Sequence, residues 1–268
     1  PINFNLNHFF YDVDGDALDY SSIGSVEVTL NIKGDGAVDF TPKENWHGEN
    51  YVVFSAKDYS GLAAFSNNLT LSVMPVNDPP QLTQNIPDLK WAEDTAGMSL
   101  NLNDYFTDVD LDRLYYNSGS LENITITITN AGVAEIISAD NFNGIEIAVF
   151  TAMDASNLSA ISNQILINVA PVNDIPLIET FTPINPNILL STSSLKVFNH
   201  TSTDIDGDAL SYDWKVDDNL VSTQSGWLFA PSAEELGHHL VQLTVSDGSA
   251  NTSMSWNLTV ISQIDLNL

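Results

Sequence analysis

Residues 69–78 read Leu-Thr-Leu-Ser-Val-Met-Pro-Val-Asn-Asp, and residues 165–174 read Ile-Leu-Ile-Asn-Val-Ala-Pro-Val-Asn-Asp. The first, third and fifth positions of both stretches are apolar, and a Pro-Val-Asn-Asp segment follows. Alternation with a period of two is typical of a β-strand with one buried face, and Pro and Asn-Asp end such strands. The two stretches predict one structural unit, a strand and its connecting segment, repeated after 96 residues (69 to 165).

Further segments recur at the same distance, which indicates a tandem repeat. The recurring segments are Asp12-Val-Asp14, Asp108-Val-Asp110 and Asp204-Ile-Asp206, then Ser55-Ala-Lys-Asp58, Thr151-Ala-Met-Asp154 and the slightly displaced Val245-Ser-Asp247. A period of this length is about one domain. We therefore predict three domains, at residues 1–79, 80–175 and 176–268, which we call repeats 1, 2 and 3.

The apolar alternation predicts the fold class. Runs rich in Val, Ile, Thr and aromatic residues are separated by Gly, Asn, Asp and Pro, and about seven short strands fit into each repeat. No convincing amphipathic helix is present, and Pro231–Leu236 is sufficient for one turn at most. These features predict an all-β protein of three tandem antiparallel β-sandwich domains of the immunoglobulin or cadherin type, in an extended rod.

Repeat 1 is predicted to begin at its second strand. By the repeat distance Pro1 aligns with Gly97, so the counterpart of residues 80–96, which includes a first strand, is missing. Two explanations remain open. The rod continues upstream of Pro1, which we prefer, or another molecule supplies the strand by edge addition.

Composition excludes several classes of function. The formal net charge is −28, from 35 acidic residues and 7 Lys and Arg, so nucleic acid and anionic membranes would be repelled. A hydrophobic content of 43% with 16% charged residues argues against disorder. The chain contains no Cys, no signal peptide and no run approaching ~18 apolar residues, so we expect no direct membrane insertion.

The acidic residues are predicted to meet at the repeat boundaries. In an antiparallel sandwich, the loop after the second strand and the loop before the last strand lie at one pole, beside the incoming linker. Carboxylate and amide oxygens are the ligands that Ca²⁺ prefers. The predicted first site contains Glu44, Asn77, Asp78, Asp108, Asp110 and Asp154. The predicted second site contains Glu93, Asp94, Asp140, Asn173, Asp174, Asp204, Asp206 and Asp247, and a half-site contains Asp12, Asp14 and Asp58.

Two other interpretations of these loops agree less well with the sequence. Asp-Gly and Asn-Asp are ordinary turn formers, but a turn needs one such residue, whereas several acids converge here with few cations to neutralise them. An EF-hand loop needs Gly at its sixth and Glu at its twelfth position. Counted from Asp12 these positions hold Ala17 and Ile23, so the EF-hand is excluded.

The combination of Asp-x-Asp, a late Ala-x-Asp and Val-Asn-Asp-x-Pro resembles the cadherin-like superfamily. The resemblance is greatest to tandem repeats of microbial surface proteins and to dystroglycan-type domains, and Thr41–Trp46 followed by Gly48 is similar to those microbial repeats. It covers nearly all of repeats 1 and 2. Repeat 3, through Asp206–Trp214 and Val245–Gly248, resembles the polycystic-kidney-disease type of sandwich. The resemblance implies Ca²⁺ between successive domains.

No catalytic constellation is found in the sequence, so we expect no enzyme activity. We predict an extracellular, cell-surface spacer that contacts neighbouring repeats or subunits. The alternatives are a module that binds cell-surface glycans or proteins, with Trp46 as the marker, a filament subunit joined by donated strands, and an accessory region of a secreted hydrolase. Core packing is expected for most of the five Trp residues. The N-glycosylation sequons lie at Asn68, Asn123, Asn157, Asn199, Asn251 and Asn257.

Overall fold

The computed structural model describes residues 4–262, and over this range the chain is a tandem β-sandwich protein. The described residues form 26 strands and three 3-10 helices, at Leu6–His8, Leu102–Asp104 and Ala233–Glu235. None of these helices is long and apolar enough to span a lipid bilayer. The predicted all-β class is confirmed. The single turn expected near Pro231 is present, and Ser232 caps it by accepting a hydrogen bond from the Glu234 N–H.

The strands follow the predicted alternation in each repeat. Repeat 1 contains β1 (Phe4–Asn5), β2 (Asp19–Ile23), β3 (Val28–Ile32), β4 (Ala37–Pro42), β5 (Gly48–Lys57), β6 (Ala63–Phe65) and β7 (Leu69–Val73). Repeat 2 contains β8 (Gln81–Leu82), β9 (Leu89–Ala92), β10 (Met98–Asn101), β11 (Phe106–Thr107), β12 (Tyr115–Ser118), β13 (Ile124–Ile128), β14 (Val133–Ser138), β15 (Gly144–Ala148), β16 (Phe150–Met153), β17 (Ser159–Ile161) and β18 (Ile165–Ala170). Repeat 3 contains β19 (Leu177–Thr182), β20 (Asn187–Ser191), β21 (Lys196–Thr203), β22 (Ser211–Val216), β23 (Asn219–Ser222), β24 (Gly226–Phe229), β25 (Gly237–Ser246) and β26 (Asn251–Ile261).

The chain divides into two compact units. The first contains the described residues through Asn85 together with Leu102–Asn117 and Phe150–Ser162. The second contains Ile86–Asn101, Ser118–Val149 and the described residues from Asn163 onward. Segments of repeat 2 belong to both units, so the division into three domains at residues 79 and 175 stays a prediction.

In the first unit, β5 is shared between two partners. Its first half pairs antiparallel with β7, and its second half pairs with β2 and β6. The opposing sheet has the order β1-β4-β3. Leu6, Val38, Val52 and Phe54 form the core and are at most 2% exposed. Burying an apolar side chain of this size contributes roughly 1.5–3 kcal/mol, so the alternation is sufficient to hold the two layers together.

The remaining first-unit strands come from repeat 2. They form a short β8-β11 pair and a sheet with the order β12-β16-β17. The side chains of Phe150 and Ala152 in β16 are fully buried, at 0% exposure. This strand and β15 together are the counterpart of the single strand β5, because Val149 interrupts the ladder in repeat 2.

The second unit contains four sheets. Their orders are β10-β14-β13, β15-β18-β9, β19-β21-β24 and β20-β26-β25-β22-β23. Most neighbouring strands are antiparallel, but β9 runs parallel to β18 and β20 runs parallel to β26. In both repeats an early strand is therefore added beside the last strand, which is then paired along both of its edges.

The core of repeat 3 is built around two tryptophans. Trp214 and Trp256 are 0% and 1% exposed, and their rings stack with centroids 5.6 Å apart. Phe198 packs edge-on against both rings. Trp91 in repeat 2 is also buried, at 9% exposure. Core packing is thus confirmed for three of the five tryptophans, while Trp46 is half-buried.

The absence of a first strand from repeat 1 stays a prediction, but the register shows which strand of repeat 2 corresponds to β1. Phe4 in β1 faces Val38 in β4, and Leu100 in β10 faces Ala134 in β14. Both members of the second pair lie 96 residues after those of the first. Strand β1 is therefore the counterpart of β10, and repeat 1 has no counterpart of β9 within the described residues.

A buried histidine makes stability dependent on pH. His200 is 5% exposed, neither ring nitrogen has a hydrogen-bond partner, and the ring packs edge-on against Tyr212 at 4.7 Å. Burial lowers the pKa of His200 below its usual 6.5, so the unfolded chain takes up the proton first. We expect this contribution to stability to be present above pH 6.5 and to be lost as the pH falls below it. Urea unfolding should show that lowering the pH from 7.5 to 5.5 reduces the free energy of unfolding less for His200→Leu than for the unsubstituted chain. Equal reductions would contradict the prediction.

Candidate metal centres

The first cluster of predicted ligands lies where the linker after β7 reaches the loop after β11, inside the first compact unit. The Asn77 amide Nδ2 donates a hydrogen bond to Asp154 Oδ2 at 2.7 Å. The Asp78 backbone N–H donates to Asp110 Oδ2 at 2.7 Å, and the Asp110 N–H donates to Asp108 Oδ1 at 2.9 Å. The structure thus brings together all of the residues predicted for this site except Glu44, which is exposed.

Local turns hold the carboxylates of this cluster in place. The N–H groups of Ser156 and Leu158 donate to Asp154 Oδ1 at 2.8 and 2.9 Å. Asp154 is 2% exposed and Asp108 is 5% exposed. Burial opposes ionisation of Asp154, but the hydrogen bonds from Asn77 and from these backbone N–H groups outweigh it and lower its pKa below the usual value. These hydrogen bonds therefore hold the Asp154 side chain in place and favour its ionised form.

One oxygen of the first cluster lacks a hydrogen-bond partner. Asp108 Oδ2 is buried and accepts no hydrogen bond, while Asp108 Oδ1 accepts the N–H of Asp110. Leaving a buried charged acceptor unsatisfied costs more than the ~1–3 kcal/mol estimated for a neutral group. A bound cation would satisfy this oxygen.

The second cluster repeats this network inside the second compact unit. The Asn173 amide Nδ2 donates to Asp247 Oδ2 at 3.0 Å. The Asp174 N–H donates to Asp206 Oδ2 at 2.8 Å, and the Asp206 N–H donates to Asp204 Oδ1 at 3.0 Å. These bonds match those of the first cluster at a shift of 96 residues, apart from Asp247, which lies 93 residues after Asp154 because the loop before β26 differs.

Glu93 enters the second cluster from the turn after β9. Its side chain is 1% exposed, and its Oε1 accepts the Val172 N–H at 2.8 Å. The Asn143 amide Nδ2 lies 3.3 and 3.4 Å from the two Glu93 oxygens. Asp140, which was predicted to contribute here, is exposed, and it is Asn143, three residues later, that contacts Glu93. The only indication of a role for Asn143 in the sequence was that it lies in the same loop as Asp140.

Four carboxylates lie close enough to Asp174 in the second cluster to affect its ionisation. Burial raises the pKa of Asp174 above its usual value, and the charges of Asp94, Asp206, Glu93 and Asp204 raise it further. Asp174 Oδ2 and Asp204 Oδ2 are buried without a hydrogen-bond partner. The ion pairs Lys33–Asp39, Lys43–Glu27 and His239–Asp217 all involve acids outside this cluster.

The oxygen ligands available in both clusters fit a hard divalent cation. They are carboxylate and amide oxygens, several of which lack a hydrogen-bond partner. Ca²⁺ takes six to eight such oxygens. Asp204, Asp206 and Asp208 also place one carboxylate oxygen each within 4.8 Å of one another. Asp208 was not among the predicted ligands, although its spacing from Asp206 repeats the Asp-x-Asp pattern.

The predicted half-site of repeat 1 is made of two separately hydrogen-bonded turns. The N–H groups of Asp14 and Asp16 donate to Asp12 Oδ1 at 2.8 and 3.1 Å. Asp58 accepts hydrogen bonds from the Ser60 hydroxyl and the Leu62 N–H. Hydrogen bonds from Ser60 lower the pKa of Asp58, as do those from nearby backbone N–H groups. These turns are the counterparts of the Asp108 and Asp154 loops.

The sequons differ in their surroundings. The Asn123 amide donates to Glu146 Oε1 at 3.0 Å and is half-buried. Asn157 is exposed at the tip of the loop before β17, in a left-handed backbone conformation with a φ of 66°. The other four, Asn68, Asn199, Asn251 and Asn257, are exposed. Glycosylation of any of them stays a prediction.

Residues 1–71 match the sequence profile of the bacterial Ig domain family. No curated protein matches the chain. Residues 1–71 thus resemble a bacterial Ig domain, and the tandem β-sandwich fold is consistent with that resemblance.

Solved structures that resemble the chain include Drosophila N-cadherin EC1–4, with 12% identity, 95% of this chain and 69% of that chain covered, and a TM-score of 0.37. The Sidekick-1 immunoglobulin domains 1–4 match with 13% identity, 92% and 68% coverage, and a TM-score of 0.36. An endo-fucoidan hydrolase of glycoside hydrolase family 107 matches with 19% identity and a TM-score of 0.32. The match covers 92% of this chain but only 39% of the hydrolase chain. These similarities concern architecture alone.

Proposed function

We propose that this chain is a non-catalytic segment of an extracellular surface protein, in which Ca²⁺ at each repeat boundary stiffens a structural or adhesive spacer. The observation that carries the proposal is the repeated network, in which the linker Asn and Asp bond to the loops of the following repeat and leave buried carboxylate oxygens unpartnered. The dystroglycan-type character of repeats 1 and 2 and the PKD-like character of repeat 3 belong to this proposal.

The roles of the residues differ within each site. Asp78, Asp108 and Asp110 would hold the ion at the first boundary, and Asp174, Asp204 and Asp206 would hold it at the second. Glu93 and Asp94 add charge at the second site, whereas Asn77 and Asn173 orient the neighbouring carboxylates of Asp154 and Asp247. The bound ion would supply positive charge that cancels the repulsion among these groups.

A stiff linker would set the length and direction of the spacer. It would present a distal binding region away from the cell, and its partners would be neighbouring repeats or subunits, with cell-surface glycans or proteins as further candidates. Burial of Trp91, Trp214 and Trp256 leaves few tryptophan faces for sugar stacking, which favours the spacer over the glycan-binding alternative.

Calcium is expected to stabilise the folded chain. A ligand present at 100 times its dissociation constant, bound by the folded state alone, stabilises by about 2.7 kcal/mol per site. Thermal unfolding with excess calcium should therefore occur several degrees above unfolding in EGTA, and small-angle scattering should show larger flexibility after chelation. Isothermal titration should give two binding events.

Magnesium provides the matched comparison. Mg²⁺ demands an octahedral site and retains its water, so it should bind the multi-carboxylate clusters more weakly than Ca²⁺. Identical melting temperatures and scattering profiles in calcium and EGTA would refute the proposal. Equal effects of the two ions would indicate charge screening and not a defined calcium site.

A further inference from the structure

Strand β20 forms one edge of the five-stranded sheet of repeat 3. Within the described residues it pairs in parallel with β26 and with no other strand. Ile188 and Leu190 are 8% and 7% exposed and face the core, whereas Leu189 between them is 68% exposed. The second edge of β20 therefore offers backbone N–H and C=O groups for pairing, with an apolar side chain beside them.

The corresponding strand of repeat 2 is protected from edge pairing. Strand β9 adds in parallel beside β18 as β20 adds beside β26, and the exposed residue between its two inward side chains is Lys90. Asp88, which is also exposed, accepts the Leu166 N–H at 2.8 Å. Charged side chains on an edge strand, Lys above all, discourage pairing with another sheet. In β20 the place of Lys90 is taken by Leu189, so this protection is absent.

The β20 edge is uncharged in a strongly acidic chain. Residues 180–203, which include β20, are the longest stretch of the sequence without Asp or Glu, and Lys196 is their only Lys or Arg. The neighbouring strand β26 contains no Asp, Glu, Lys or Arg. Because the net charge of the chain is −28, two copies repel each other, and the repulsion is weakest where neither surface carries a charge.

We propose that the β20 edge is a homotypic interface, at which two copies of the chain pair antiparallel and join their five-stranded sheets. A two-fold axis brings the same residues together. If Leu189 faces Leu189 of the second copy, Asn187 lies opposite Ser191. The strand end near Ile184, which is 82% exposed, then approaches the end near Leu195, which is 65% exposed. A basic partner would be attracted to the acidic surfaces instead, so an uncharged edge fits a second copy better.

Sedimentation velocity of the 268-residue chain in EGTA tests the interface. We expect a reversible monomer–dimer equilibrium that is weak, because a single strand of five residues makes a small interface. Added salt should strengthen the dimer, because salt screens the repulsion between two acidic chains. Amide hydrogen exchange in residues 187–191 should become slower as the concentration of the chain rises.

A lysine in β20 should disrupt the dimer. Leu189→Lys gives β20 the residue that β9 has, and it should weaken dimerisation at least about tenfold, because like charges then lie opposite each other. Leu62→Lys is the matched control, since it adds the same charge at a position of repeat 1 that is 74% exposed, and it should leave the dimer unchanged. Circular dichroism should show equal melting of both variants.

Several outcomes would overturn the proposal. One is a chain that stays monomeric at every concentration in high salt, and another is a dimer that survives Leu189→Lys. Slow exchange in residues 187–191 that does not depend on concentration would show that another segment of the same chain covers the edge. A dimer that weakens with added salt would indicate contacts between opposite charges. Because all of these measurements are made in EGTA, this proposal and the calcium proposal fail independently.

Discussion

Asp174→Asn should raise the stability of the calcium-free protein and reduce the stabilisation that calcium gives. Asp174 is pushed toward its neutral form by burial and by four neighbouring carboxylates. Its Oδ2 has no hydrogen-bond partner. An Asn side chain removes one negative charge and offers an N–H donor to the remaining acids, while the Asp206 bond to the residue 174 backbone is kept. Without the charge, the second site should hold calcium more weakly.

Unfolding in EGTA measures the predicted gain in calcium-free stability, and unfolding in excess calcium measures the predicted loss of stabilisation by calcium. The unsubstituted chain should gain about 2.7 kcal/mol per site at 100 times the dissociation constant, and Asp174→Asn should lose most of the gain from the second site. Asp213→Asn is the matched control, because Asp213 is an exposed acid on β22. If Asp174→Asn were less stable in EGTA and kept the full calcium response, the carboxylate cluster would not be a metal site.

Trp256→Ala is expected to cause the largest loss of stability. Trp256 is 1% exposed, its indole N–H donates to the Pro183 carbonyl at 2.6 Å, and its ring contacts Trp214 and Phe198. Truncating a buried tryptophan costs about 3–5 kcal/mol, because it leaves a cavity and, here, an unpaired carbonyl.

Urea unfolding followed by circular dichroism measures this loss. Leu189→Ala is the control, since Leu189 lies on the neighbouring strand β20 and is 68% exposed, and its cost should stay within about 0.5 kcal/mol. A loss below about 1 kcal/mol for Trp256→Ala would mean that the repeat 3 core does not depend on the tryptophan pair.

Much of the candidate site could be predicted from sequence because the same segments recur and the sandwich topology brings their loops together. The pairs Asn77 with Asp154 and Asn173 with Asp247 follow from one topology applied twice. The same reasoning failed to select Asn143 and Asp208. Both lie in loops whose direction depends on turn geometry, and the sequence offers no way to tell which side chain of a loop points inward.

The sequence by itself determined the strands, the repeat distance and the core tryptophans. These depend on the period-two alternation, which is a property of neighbouring residues along one chain. Only the tertiary structure decided which carboxylate oxygens are buried without a partner, and that β9 and β20 add in parallel beside the last strand. Such features arise when segments far apart in sequence pack together, and burial, strand pairing and charge repulsion then depend on distances in space that the period-two alternation does not encode.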